Sequence, residues 1–161
     1  MLTSYGGYCV NALVTQTSRF RAAISSAGVC DLVSAYGVLT ENGDNPGIGR
    51  AELGQRRMGG PPWEYPERYV ENSPIFHLGR VETPLLLLHG ALDISCPVSQ
   101  AGEMFSGLRR LGKEVVLVQY LDEGHWPGQW RYANAVDYWQ RVLDWLDSHL
   151  GVASRDPGEV S

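Results

Sequence analysis

The sequence has no apolar run long enough to cross a bilayer, no block of Lys or Arg, and only three cysteines. The longest apolar stretch, around Pro84-Leu85-Leu86-Leu87-Leu88, falls far short of the roughly 20 residues a spanning helix needs, so no membrane segment is expected. A formal net charge of -5 without a basic cluster offers nothing to neutralise a phosphate backbone, which argues against nucleic acid as a partner. Cys9, Cys30 and Cys96 are odd in number and lack metal-like spacing. They read as reduced, partly buried thiols, with neither a disulfide framework, nor a metal, nor any other cofactor expected. No basic stretch precedes an apolar one at the N-terminus, so no signal peptide is read there and a cytoplasmic location is the expectation.

What is present suits one loop-rich globular domain: 161 residues, 43% hydrophobic and 19% charged, with 19 glycines. A helix-like pattern over Cys9 to Thr17 follows Ser4-Tyr5-Gly6-Gly7-Tyr8, so the serine opens a helix. Phe20 to Ser25, Thr83 to His89 and Lys113 to Tyr120 are short, apolar or β-rich, and read as strands. Val98 to Leu111 and Tyr132 to Leu150 carry helical periodicity closed by Gly112 and Gly151. Between the first two strands, Asp31 to Arg80 is rich in breakers such as Asp44-Asn45-Pro46-Gly47 and Gly59-Gly60-Pro61-Pro62. It reads as a long irregular excursion with short helices at Asp31 to Tyr36 and Pro66 to Glu71. Strands alternating with helices predict an α/β fold, a parallel sheet of about three strands wrapped by right-handed crossovers. Residues 1–150 form the domain, and the remaining tail to Ser161 is expected to be disordered.

Reactive groups in such a sheet gather at the carboxyl ends of the strands, where Ser4, Asp93 and His125 all fall. Their chain order is the one α/β-hydrolases use for a nucleophile, an acid and a base. Ser4 would be the nucleophile on a sharp strand-to-helix turn, with the backbone N–H of Tyr5 as an oxyanion donor. Asp93 would orient His125, and His125 would act as general base and acid. Tyr8, Trp63 and Trp126 are candidates for substrate contact, with Tyr65, Tyr69 and Trp130 as further aromatics for the cleft or the core. Trp139 and Trp145 read as core, and His89 as a structural histidine bonded to a neighbouring loop.

Ser4-Tyr5-Gly6-Gly7-Tyr8, Pro84 to Asp93 and Glu123-Gly124-His125 resemble the prolyl oligopeptidase family, as do Ser73-Pro74-Ile75, Leu108 to Val115 and Val142 to Leu146. The likeness is strongest to its acylaminoacyl and dipeptidyl peptidases. It implies the C-terminal part of an α/β-hydrolase catalytic domain and a serine peptidase acting on short peptides through an acyl-enzyme. It also implies that the N-terminal half of that domain, with the strand leading into the serine turn, a second oxyanion donor and a β-propeller, lies outside these residues. Two alternatives stand beside this reading, a carboxylic ester hydrolase with the same three residues and an inactive α/β-hydrolase remnant. Leu2 occupies a position where the family carries glycine, so its side chain is expected to crowd the serine turn. Ile94-Ser95 stands where relatives carry residues that hold substrate backbone. With the leading strand missing, an open sheet edge would favour self-association.

Overall fold

The computed structural model describes residues 1–151; the stretch Val152 to Ser161, expected to be disordered, lies outside the described residues. Four strands form one parallel sheet in chain order: β1 (Leu2–Thr3), β2 (Ala23–Ser26), β3 (Leu85–Gly90) and β4 (Val115–Tyr120). Three are the expected strands, although β2 begins three residues later than the apolar pattern suggested. The fourth corrects the expectation that the strand leading into the serine turn is absent. It is present for two residues, Leu2 beside Ser25 and Thr3 beside Ser26. Two residues carry no periodicity, which is why the pattern could not reveal them.

The unbroken leucine run of β3 follows from its central place. Successive side chains of a strand point to opposite faces, and here both faces are covered. Leu85 and Leu87 pack with Val10 and Val14 of α1 (Tyr5–Val14) and with Met104 and Leu108 of α4 (Ser99–Arg110). Leu86 and Leu88 pack on the other side with Ile24 and with Tyr138 and Val142 of α5 (Tyr132–Leu150). Each buried leucine contributes about 1.5–3 kcal/mol. Trp139 is not core: it is half exposed, because one residue beyond Tyr138 lies about 100° around the helix. Trp145 does pack partly against the α5 core.

The excursion is more ordered than its composition suggests. It holds α2 (Pro46–Glu52), α3 (Pro66–Glu71) and short 3-10 turns at Ser34–Tyr36 and Pro74–Arg80. Asp44-Asn45-Pro46-Gly47 acts as a helix start rather than a breaker. The Asn45 side chain accepts from the N–H groups of Gly47 and Ile48, and Pro46 occupies the first turn. Leu32, Tyr36, Ala51, Met58 and Tyr69 then close a small core of their own over the carboxyl end of the sheet. No described helix is long and apolar enough to cross a membrane.

Helix α1 crosses the end of β2 at glycine distance. The Ser25 hydroxyl donates to the Gly7 carbonyl at 3.0 Å, and a Cβ built on Gly7 would lie 2.8 Å from the Gly28 Cα. Gly7→Ala is therefore expected to cost about 1–3 kcal/mol of stability through overpacking. Gly49→Ala in α2, where a Cβ meets nothing within 4 Å, is expected to be neutral or to stabilise by up to about 1 kcal/mol. Urea unfolding midpoints of the two variants decide whether the crossing is as tight as described.

Candidate active site

Ser4 sits in the turn between β1 and α1 with φ 62° and ψ -124°, a conformation that a residue bearing a Cβ adopts only under strain. Its neighbours hold it there. The Ser4 N–H donates to Ser26 O at 3.0 Å, and the Ser4 carbonyl accepts from the Tyr8 N–H at 3.1 Å. Leu2 does not crowd this turn. Its half-exposed side chain occupies the space left by Gly6, where a Cβ would come within 2.7 Å of the Leu2 Cβ. The Tyr5 N–H is the first of α1, so it has no carbonyl to meet inside the helix and lies at the helix's positive end.

Asp93 follows the end of β3 and is almost wholly buried. Its Oδ1 accepts from the N–H groups of Ser95 at 2.7 Å and Cys96 at 2.8 Å, while Oδ2 lies 2.7 Å from His125 Nδ1. A carboxylate only accepts, so Nδ1 carries the hydrogen and leaves Nε2 free to accept from the Ser4 hydroxyl, 2.9 Å away. His89 makes the expected bond to a neighbouring loop: its Nε2 donates to Cys96 O at 2.8 Å and stands 3.4 Å from Asp93 Oδ2. Burial alone would raise the Asp93 pKa. The donors from His125 and the Cys96 N–H, together with the nearby His89 ring, outweigh it and hold the carboxyl well below the usual range. Burial also pushes the adjacent Cys96 thiol up to about 11, which keeps it protonated.

The loop carrying His125 is braced from three sides. Trp130, buried in the core rather than lining a cleft, donates its Nε1–H to Gly124 O at 2.9 Å. Buried Glu123 accepts from the Arg131 N–H at 3.0 Å and from Asn134 Nδ2 at 2.6 Å. Its carbonyl accepts from the Leu92 N–H at 2.9 Å, linking the two loops. Gly90 permits the contact, since a Cβ there would stand 2.8 Å from the Glu123 carbonyl carbon.

A pocket of about 280 Å³ opens on Ser4 and His125. Tyr8 and Trp126 line it, with the Tyr8 hydroxyl donating to Asn72 O at 2.9 Å. Trp63 does not reach it: the residue is 73% exposed and its ring stands edge-on to Tyr36, 5.6 Å between centroids. Tyr69 belongs to the small core, and Tyr65 lies under the Arg68 guanidinium. Arg50, Gln55 and Arg56 line the pocket and were not singled out in the sequence, because nothing in an irregular stretch signals which residues fold back onto a distant turn. Arg50 donates to the Ser95 carbonyl and so ties α2 to the Asp93 loop. No group of three or more His, Cys, Asp or Glu side chains among the described residues is arranged to hold a metal ion.

Because the folded chain keeps Asp93 ionised below its ordinary value of 3.8, the unfolded chain binds more protons as the pH falls past that value. The contribution to stability is complete above about pH 4 and is lost progressively as the pH drops toward the folded pKa. Asp93→Asn has no such titration, so its unfolding free energy should fall less steeply between about pH 4 and pH 2. Parallel acid limbs in denaturant titrations of the two proteins would contradict the assignment.

Comparison with known proteins bears on the family and the fold. A family model described as the prolyl oligopeptidase family matches residues 3–153. An uncharacterized peptidase of Bacillus subtilis is 30% identical over 152 residues, covering 91% of this chain and 21% of the relative. The dipeptidyl-peptidase 5 of Porphyromonas endodontalis is 33% identical over 153 residues, covering 91% and 20%. The solved acylaminoacyl peptidase of Pyrococcus horikoshii superposes with a TM-score of 0.81 at 26% identity, over 96% of this chain and 24% of that one. An acylaminoacyl peptidase solved in complex with Z-Gly-Gly-Phe-chloromethyl ketone gives 0.76 at 28% identity, over 90% and 22%. The chain thus spans about a fifth of the length of the curated relatives it matches. Its parallel sheet with helices on both faces is part of an α/β-hydrolase fold, and the chain belongs to the prolyl oligopeptidase family.

Proposed function

We propose that this chain supplies the catalytic residues of a serine peptidase that cleaves short peptides, with Ser4 as nucleophile, His125 as general base and acid, and Asp93 as the group that orients His125. The observation that carries this is the unbroken hydrogen-bond chain from Ser4 Oγ through His125 to Asp93, with Ser4 held in a strained turn at a helix N-terminus. His125 Nε2 takes the hydroxyl proton as Ser4 Oγ bonds to the substrate carbonyl carbon. The Tyr5 N–H donates to the oxyanion that develops, and Asp93 stabilises the imidazolium without taking its proton. His125 then gives that proton to the leaving amine as the peptide bond breaks. Water, deprotonated by His125, attacks the resulting ester, and Ser4 is regenerated as the acid product leaves. A peptide substrate is supported by the related acylaminoacyl peptidase solved with a peptidyl chloromethyl ketone.

A fluorophosphonate probe tests the nucleophile directly. Labelling is expected on the folded chain and is expected to vanish in Ser4→Ala. Asp93→Asn should retain the fold at neutral pH but lower kcat on an aminoacyl arylamide by about 10⁴-fold, because the imidazole loses its required tautomer. Absence of labelling in a chain shown by circular dichroism to be folded would rule the reading out. Turnover of aminoacyl esters without any of arylamides would replace the peptidase with an ester hydrolase.

A further inference from the structure

The pocket beside Ser4 holds charge of one sign. Arg50 and Arg56 both line it, and no aspartate or glutamate does. Among the described residues neither guanidinium forms an ion pair. Arg50 is partly satisfied by the Ser95 carbonyl. Arg56 is different, since its Nη1 is buried and has no hydrogen-bond partner. Burial, together with the neighbouring Arg50 charge, pulls its pKa down. The adjoining cavity, which shares Arg50 and Arg56, includes Glu41 and Asp93, yet neither carboxylate forms an ion pair with either arginine.

A guanidinium retains its proton even when burial disfavours the charge, so its unmatched charge and donor remain a standing cost until an acceptor arrives. The part of Arg56 that lines the pocket can meet an acceptor brought by the substrate. The pocket is bounded on one side by Ser4 and Tyr5, the residues that meet the attacked carbonyl, with Val29 and Cys96 among its walls. A side chain borne by the same residue as that carbonyl is the one held beside this pocket when Ser4 attacks. We propose that Arg56 makes this a selective pocket for an acidic side chain: the chain prefers peptides with glutamate or aspartate as the residue whose carbonyl Ser4 attacks. Planar, forked donors suit a carboxylate, and the neighbouring Arg50 charge adds to its attraction. A neutral amide of the same shape leaves the charge unmatched.

This inference rests on Ser4 being the nucleophile, and two readouts keep the ideas separable. In the first, kcat/KM is compared for peptidyl arylamides that differ only in glutamate or glutamine before the scissile bond. The glutamate substrate is expected to lead by at least about tenfold. The ratio should fall to about one in Arg56→Gln and recover in large part in Arg56→Lys. Being internal to each protein, the ratio is insensitive to a general loss of activity. In the second, N-acetylglutamate and N-acetylglutamine are titrated into the Ser4→Ala chain by calorimetry, which needs no turnover. Tighter binding of N-acetylglutamate, lost when Arg56→Gln is added, supports the pocket even if the fluorophosphonate test has removed Ser4 as nucleophile. A glutamate-to-glutamine ratio at or below one in the unsubstituted pocket, or a preference that survives Arg56→Gln, overturns it.

Discussion

How closely backbones can approach at the carboxyl edge of the sheet governs the geometry of this protein. Gly90 lets the Asp93 loop press against Glu123 and Gly124, and the crossing of Gly7 over Gly28 seats α1 on the end of β2. These two contacts position the three groups of the hydrogen-bond chain, which come from three separate loops. With bonds of 2.7 Å and 2.9 Å, there is little room for either loop to move outward by the width of a methyl group. An outward shift of about 1 Å would break these hydrogen bonds, so the glycines hold the arrangement together without being part of it.

The two charges near Ser4 are treated in opposite ways. Asp93 is buried but well supplied with donors, two backbone N–H groups and the His125 imidazole, with the His89 ring 3.4 Å away, so it is fixed in place and ionised. Arg56 is only partly buried, but its Nη1 is buried and has no hydrogen-bond partner. A satisfied charge serves as a scaffold, and an unsatisfied one is available to a ligand. The same physical cost of removing charge from water leaves a firmly held carboxylate on one side of Ser4 and a donor without a partner on the other.

The strands β2, β3 and β4 and the helices α1, α4 and α5 were all legible, because each is long enough to repeat an apolar pattern against a core. Ser4, Asp93 and His125 were legible as candidates because a parallel sheet sends its loops to one edge in a known chain order. The same reasoning failed where pattern length or burial ran out. β1 has only two residues, Trp139 lies just off the buried stripe of α5, and Trp63 is aromatic but faces solvent. The Asn45-Pro46 pair reads equally as a breaker and as a helix cap, and only the hydrogen bonds of its side chain distinguish them.

The sequence by itself determined the alternation of strand and helix, the two-sided burial of β3 and the presence of three reactive groups at strand ends. These follow from local periodicity and from the order of elements, which are properties of the chain read in one dimension. Tertiary structure alone decided that Leu2 fits beside Gly6, that Asp93 faces both His89 and His125, and that Arg50 and Arg56 fold back more than 40 residues to the serine turn. Such contacts depend on which surfaces meet after the excursion packs over the sheet, and no local pattern encodes that distance.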